Sequence, residues 1–296
     1  MELRIMRYFL MITKTENITK AAELLHITQP TLSRQIRELE EELGVTLFER
    51  DARKLRLTSE GMLLKERAEE IIELTDKTIA DLKAESGSVS GTIRITTGVM
   101  RSTAILSRMM SEFRKLYPGV LFEVLTSPAD TSRYQLEKGL IDFGVMLEPI
   151  DLSDMNFIRF TEKESWCAMM RADDALAEKE YIRPKDLYER ELVLPLRGAV
   201  AAELYSWLGR DSDDLKIAYS NTLGGTAAQL VYDAHAISLS ALGSVPFLDE
   251  TRMTLRPLKP EISTRSAIVW KQSSLKTEAA EKFIQFISCF EGMERQ

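Results

Sequence analysis

The segment T-Q-P-T-L-S-R-Q-I-R, residues 28–37, groups side chains able to read and hold an anionic polymer. Gln29 suits the paired donor and acceptor of an adenine edge, and Arg34 suits guanine or a phosphate. Ser33 is short enough to let a backbone approach. Thr28 can cap a helix, and the free amides behind it offer a phosphate site. Pro30 falls in the first turn, where a missing N–H costs nothing. A second basic group follows at Arg50, Arg53, Lys54 and Arg56, suited to phosphates or a minor groove. Such chemistry needs a helix with one face free of core residues. Leu32, Ile36, Leu39 and Leu43 form an apolar stripe roughly 60° wide, which leaves Pro30, Arg34 and Arg37 on the far side. The competing reading is a helical bundle with a solvated charged face, in which Arg37 pairs with Glu40 or Glu41.

The elements that must position these residues follow from periodicity and punctuation. Leu3, Met6, Phe9 and Leu10 share one face of a helix over 3–12. Asn17 can cap a second helix, ITKAAELL, with Ala21, Ala22 and Leu25 inward. Gly44 ends the third. VTLFER, a turn at Asp51 and Ala52, and KLRLT read as a two-stranded hairpin. From Thr58 to about Glu85 runs a long helix with a near-heptad stripe of Leu64, Ala68, Ile71, Thr75, Ile79 and Leu82. A helix with one apolar stripe must bury it, and a second copy of the same helix is the economical partner. SGSVSG, residues 86–91, reads as a flexible linker.

Beyond residue 91 strands and helices alternate. TIRIT, VLFEVLT and IDFGVM are strands, with helices over 101–116 and 131–138. The pattern recurs in ELVLP, a helix over 199–208, KIAYS, a helix over 222–233, and AISLS. TRSAIVW is a late strand, and 276–290 an amphipathic helix. This spacing predicts parallel α/β units in two similar lobes.

The whole chain of 296 residues has 39 Lys+Arg, 46 Asp+Glu and a formal charge of −7. At 44% hydrophobic and 29% charged it has apolar material for more than one core, which excludes a disordered or purely coiled-coil chain. No apolar run reaches the ~18 residues of a membrane span, and the charged N-terminus does not read as a signal peptide. Two cysteines, Cys167 and Cys289, are too few for a disulfide framework and fit a cytoplasmic protein. Two distant histidines, His26 and His235, give metal sites and histidine-based catalysis little to draw on. The charge is unevenly placed. Residues 1–57 hold ten basic and nine acidic side chains, a net of +1, and the remainder carries −8.

Residues 1–67 closely resemble the N-terminal domain of LysR-type transcriptional regulators. The resemblance is carried by LRIMRYFL, by NITKAAELLHITQPTLSRQIRELEEELGVTLFER and by RLTSEG, a long match in order with almost no gaps. GTIRIT, FRKLYPGV and LEKGLIDFGV are similar to regulatory-domain segments of the same family. The resemblance implies an N-terminal all-α winged helix-turn-helix over 1–58 and a linker and dimerisation helix with hinge over 59–90. It implies a two-lobed α/β regulatory domain over 91–296, similar to periplasmic binding proteins. Lobe I would span about 91–162 and 268–296, and lobe II about 163–267. It also implies that the second helix of the motif enters the major groove, with Gln29, Pro30, Ser33 and Arg34 in or near the contact. Thr31 stands where Ala is common in the family, and Arg53 matches a wing position turned toward the minor groove.

In such a domain the cleft between lobes takes a small effector, with helix N-termini and short hydroxyls favouring a carboxylate or other anion. The matching positions are Thr96, Thr97, Gly98, Ser102 and Thr103, then Ser127 and Pro128, Arg197, and Asn221 and Thr222. The hydroxyls read equally well as ordinary helix caps, and Arg197 as a solvent-facing loop residue. Gly98 replaces a Ser or Thr common in the family. Ala234 and Ala236 replace two glycines, which implies a tighter wall near the cleft.

The reading is a ligand-responsive regulator whose partners are promoter DNA, a small effector and, for an activator, RNA polymerase. It would be a homodimer through the linker helix or a homotetramer, without cofactor, metal, catalytic residues or membrane. The alternative, a solute-binding protein without a DNA function, would need export and would leave residues 1–57 unexplained.

Overall fold

The computed structural model describes residues 1–51, 54–82, 89–222, 224–272 and 277–294. Met1–Lys83 and Ala84–Gln296 form two compact units.

In the first unit, α1 (Leu3–Thr15), α2 (Ile18–Leu24) and α3 (Gln29–Leu43) start and stop where the sequence punctuates them. The Asn17 side chain accepts from the Lys20 amide at 3.0 Å, Thr28 Oγ1 accepts from the Thr31 amide at 3.4 Å, and Gly44 closes α3 at φ 69°. Phe9, Ile12, Ala21, Leu32, Ile36 and Leu39 bury the facing stripes in one core. The hairpin β1 (Phe48–Asp51) and β2 (Lys54–Leu57) pairs antiparallel from Phe48↔Leu57 to Asp51↔Lys54. Ala52 and Arg53, the expected turn and wing contact, lie outside the described residues. Phe48 anchors the hairpin against Phe9, ring centroids 5.3 Å apart. Glu40 Oε1 accepts from the Leu47 and Phe48 amides at 2.7 and 3.3 Å, so α3 and the hairpin are fixed to each other by a carboxylate.

Helix α4 (Ser59–Leu82) does not keep the expected stripe together. Leu64 packs against the core of its own domain and Ala68 is buried, while Ile71, Ile79 and Leu82 stay exposed, with Leu63 and Leu74 beside them. The first turns of the stripe are spent within the domain because α4 leaves directly from β2. Thr58 makes that junction. Its Oγ1 donates to the Thr46 carbonyl at 2.7 Å and accepts from the Gly61 amide at 2.9 Å. Arg7 on α1 forks onto the Asp76 carboxylate of α4, 3.2 and 2.5 Å, and holds that carboxyl below its usual range.

The second unit contains β3 (Ser90–Thr97), α5 (Arg101–Leu116), β4 (Gly119–Thr126), α6 (Ala129–Lys138), β5 (Phe143–Leu147) and β6 (Met155–Arg171). It continues with β7 (Leu192–Pro195), α7 (Gly198–Leu208), β8 (Ile217–Asn221), α8 (Gly224–Ala234), β9 (Ile237–Ala241), β10 (Met253–Pro257), β11 (Ser263–Lys271) and α9 (Glu278–Ile287). The strand order is β4-β3-β5-β11-β6-β9-β7-β8, with β10 beside β6. Strands β3, β4 and β5 are parallel, as are β7, β8 and β9, giving two lobes of one pattern. Two findings differ from the sequence reading. Ser90 and Gly91, expected in the linker, already pair with Gly119 and Val120 in β3–β4. Met169 and Met170 read as strand core, but the sequence reading does not contain the full 17-residue length of β6 or its partner β10. Strand β6 pairs with β11 over Met155–Ser165 and with β9 over Trp166–Met169, so it runs through both lobes.

The core of lobe I gathers Phe113, Phe143, Phe160 and Phe283 between α5, α9 and the sheet, and that of lobe II gathers Leu192, Leu204, Leu208 and Ile237.

Gly61 offers a direct test of the α4 junction. A Cβ there would lie deep inside van der Waals contact of the Leu47 carbonyl oxygen and 2.9 Å from Leu57 Cδ2. Gly61→Ala is expected to destabilise the first unit by about 1–3 kcal/mol. Denaturant unfolding followed by far-UV circular dichroism should show an earlier first transition. Tryptophan fluorescence should be unmoved, because Trp166, Trp207 and Trp270 all lie in the second unit.

Candidate functional site

Two surfaces carry the residues singled out from the sequence. The first is the outer face of α3. Thr28, Gln29, Pro30, Thr31, Arg34 and Arg37 are exposed and Ser33 is half-buried, while Leu32, Ile36 and Leu39 are buried beneath them. Gln29 Nε2 donates to Ser33 Oγ at 2.7 Å, which joins the amide and the hydroxyl into one preset group. The Thr28 and Thr31 hydroxyls lie 2.8 Å apart, so the Thr31 oxygen turns back to the cap. Among the described residues, Arg34 is held only by an exposed contact with Glu38 at 3.6 Å, an interaction worth little in water and easily exchanged for another acceptor. Glu40, one partner weighed for Arg37, is occupied by the hairpin amides. Arg50 lies in β1, Lys54 in β2, and Arg56 is exposed on β2. The backbone therefore brings the α3 group and the hairpin basics into one domain, with Glu40 linking the two.

The second surface is a cavity of about 150 Å³ at the carboxyl ends of the parallel strands of both lobes. Lobe I supplies Gly98 and Met100 after β3, Ser127 and Pro128 after β4, and Leu147 at the end of β5. Lobe II supplies Pro195 and Arg197 after β7, Asn221 and Thr222 after β8, and Ser240 in β9. Ligands of open α/β sheets sit at such strand ends. Six expected residues thus meet at one wall: Gly98, Ser127, Pro128, Arg197, Asn221 and Thr222.

The other four do not. Thr96, Thr97 and Ser102 are buried, and Thr103 is half-buried in the first turn of α5; none lines the cavity. Thr97 Oγ1 donates to the Gly98 carbonyl at 2.8 Å. Thr103 Oγ1 donates to the same carbonyl at 3.0 Å and accepts from the Met100 amide at 3.2 Å. Thr103 thus caps α5, whereas the Thr96 and Ser102 hydroxyls are buried without a hydrogen-bond partner among the described residues, and none of the four faces the cavity. The amino end of α5 is itself filled from within. Glu164 of β6, fully buried, accepts from the Arg101 and Ser102 amides at 3.0 and 2.9 Å. A buried carboxylate is tolerable there because it takes two charge-assisted bonds and the positive helix end. The sequence reading missed Glu164, and the one available signal was a charged run, TEKE, inside an otherwise apolar stretch.

Gly98 also has a consequence. A Cβ on it would lie 2.7 Å from Met100 Cε, so the missing side chain makes room for a thioether in the cavity wall. Ala234 and Ala236 are placed away from the cavity, at the turn that enters β9 from its amino end. The expectation of a tighter cleft wall there is corrected. Arg197, read from the sequence as a solvent-facing loop residue or an anion partner, spans the two lobes. Its Nη1 donates to the Leu147 carbonyl at 2.7 Å, its Nη2 to the Pro149 carbonyl at 2.5 Å, and its Nε lies 3.5 Å from Asp130. On the same helix, burial pushes the Glu203 carboxyl up, with the Arg197 charge opposing.

Residues 3–62 match the model of the bacterial regulatory helix-turn-helix protein, lysR family, and residues 86–289 match the LysR substrate binding domain. The chain belongs to the LysR family. It is a LysR-type DNA-binding transcriptional regulator with an effector-binding domain. HcaR, the Hca operon transcriptional activator of Escherichia coli, is 27% identical over 293 residues, 97% of each chain. The regulator YtlI of Bacillus subtilis is 32% identical over 219 residues, 71% of this chain and 69% of that one. Among solved structures, CbnR, a LysR family transcriptional regulator, superposes with TM-score 0.79 at 21% identity over 97% of this chain and 98% of that chain. Full-length CbnR complexed with its target DNA gives 0.77 over 97% and 99% of the two chains. LysR regulators pair promoter DNA with small effectors, and none of the described helices is long and apolar enough to cross a membrane.

Cys167 is buried in β6 and burial pushes its thiol up to about 12, whereas Cys289 is exposed. At pH 8 the Cys167 thiolate fraction is about one in ten thousand. One thiol per native chain is therefore expected to react with Ellman's reagent, and the second only after denaturation. Rapid reaction of both in the native chain would contradict the burial of Cys167.

Proposed function

We propose that the exposed face of α3 enters the major groove of an operator, with the β1–β2 hairpin against the neighbouring minor groove. Promoter DNA is the substrate of this surface, and RNA polymerase is the second partner wherever the regulator activates. The carrying observation is the preset Gln29–Ser33 pair beside a weakly held Arg34, on a helix whose opposite face buries Leu32, Ile36 and Leu39. Thr28, Pro30, Thr31 and Arg37 frame this contact, and Arg50, Arg53 and Lys54 add phosphate or minor-groove contacts from the hairpin. The chain acts by binding, not by catalysis, in the cytoplasm where the chromosome lies.

The molecule works as a homodimer through α4. Leu63, Leu74 and Leu82 are 56%, 44% and 82% exposed, and a second α4 covers such a stripe at matching geometry. A further pair of surfaces supports a homotetramer. Edge strand β4 exposes Leu121 and Leu125, and the opposite edge β8 exposes Tyr219. The effector occupies the cavity between lobes, in contact with Gly98, Ser127, Pro128, Arg197, Asn221 and Thr222. Its binding shifts lobe closure and with it the spacing of the two α3 helices on DNA.

Two experiments test this reading. Arg34→Ala is expected to weaken binding to the upstream region of the chain's own operon by about 1–3 kcal/mol in gel shifts, and to relax specificity at one base pair. Unchanged affinity for every candidate site would remove α3 from the groove. Leu74→Asp is expected to raise the dimer dissociation constant by about two orders of magnitude in sedimentation equilibrium, because a charge enters a desolvated seam. An unaltered dimer would place the interface elsewhere.

A further inference from the structure

The cavity between the lobes is mostly apolar, with Val99, Met100, Val145, Met146, Leu147 and Leu239 among its walls. Among the described residues that line it, Arg197 is the one charged side chain. Its present partners are modest. Two are neutral carbonyls, and the third, Asp130, is a largely solvated carboxylate at 3.5 Å. Two helix amino termini lie at this end of lobe I: that of α5 is already neutralised by the buried Glu164, and that of α6, whose Pro128 and Ala129 line the cavity, carries Asp130 in its first turn. An anion placed against α5 would meet that fixed negative charge, and an anion placed against Arg197 would not.

Taking the cleft as the effector site, we infer that Arg197 is its anion pole and that the effector is a small monoanion on an apolar body. The volume, about 150 Å³, matches cavities that hold a single six-membered ring. A carboxylate on such a ring takes over the guanidinium from Asp130 and from the Leu147 and Pro149 carbonyls of lobe I. Arg197 then has two exclusive sets of partners. In one it fastens lobe II to lobe I directly, and in the other it fastens the ligand. The residue that recognises the effector is the residue whose release alters the contact between lobes, so occupancy and lobe arrangement are coupled through one side chain.

The test uses the full-length chain and two isosteric probes, cyclohexanecarboxylate and cyclohexanecarboxamide, by titration calorimetry at low salt. The wild type is expected to prefer the carboxylate by about tenfold, the worth of one charge-assisted contact. Arg197→Gln removes the preference and keeps the carboxamide affinity, Arg197→Lys keeps part of it, and Glu164→Gln leaves the ratio unchanged. Asp130→Ala, which frees the guanidinium from a competitor, raises carboxylate affinity several-fold and leaves the carboxamide alone. A role for Arg197 in folding alone would not produce that rise. A preference that survives Arg197→Gln and changes with Glu164→Gln would move the anion pole to α5 and overturn the inference. Equal affinity for the two probes, or no saturable binding of either at millimolar concentration, overturns the ligand class. Operator gel shifts on the same variants keep the outcomes apart, since the DNA-binding reading stands or falls with Arg34 and not with Arg197.

Discussion

The antiparallel pairing of β6 with β11 is the constraint on which the regulatory unit depends. These two strands are shared by both lobes, and everything else in a lobe hangs on its own set of three parallel strands. The pairing runs from Met155↔Lys271 to Ser165↔Ser263 and is broken once, by an irregularity between Arg265 and Ala267. A bulge adds local bend and twist without ending a strand. The carboxyl ends of both parallel sets face one cavity, while a local bend lies within the strands that run between them. Glu164 sits in this stretch, opposite Thr264, and sends its carboxylate to the first amides of α5. One residue ties the crossover to the helix that borders the cleft.

This explains what could be read from the sequence and what could not. The α1–α3 unit was legible because its signals are local. Asn17, Thr28 and Gly44 act on residues within a turn, and the buried stripes repeat at helical spacing. Strands β3, β4, β7 and β9 were legible as short apolar runs between turn residues. Strand β6 was not, because its two halves are buried by different lobes and its middle is TEKE. No single period survives such a change of neighbours. Glu164 looked like a solvated charge because its partners lie 62 and 63 residues earlier. Arg197 was recognised as a cleft residue, but its partners at 130, 147 and 149 belong to the other lobe and leave no trace in the local text.

The stripe on α4 shows the same limit from another side. Heptad spacing predicted one continuous face, and the domain consumes Leu64 and Ala68 for its own core. Ile71, Ile79 and Leu82 of the same stripe remain outside, with Leu63 and Leu74 on the neighbouring face of the helix. Periodicity says how many residues must be covered, and tertiary packing decides which of them are covered from within. The net charge is a similar case. The acidic excess lies outside residues 1–57, shared between the α4 segment and the regulatory unit, and what DNA would meet is the local field of Arg34, Arg37 and the hairpin basics.

The cleft combines these lessons. A helix amino terminus and a row of hydroxyls, Thr96, Thr97, Ser102 and Thr103, read as an anion site by residue type. The fold caps α5 with Thr103, buries Thr96, Thr97 and Ser102 away from the cavity, and fills the helix end with its own carboxylate. Removing a side chain at Gly98 then admits Met100 to the wall, so the lobe I side becomes apolar where it promised to be polar. Charge recognition shifts by elimination to lobe II, to a guanidinium that already reaches across the gap. A cation bound to carbonyl groups of the opposing lobe is a poor resting partner and a good sensor, because a carboxylate is the stronger acceptor. The polarity of the site is thus set less by the residues that resemble a binding motif than by which of them the fold has left unoccupied.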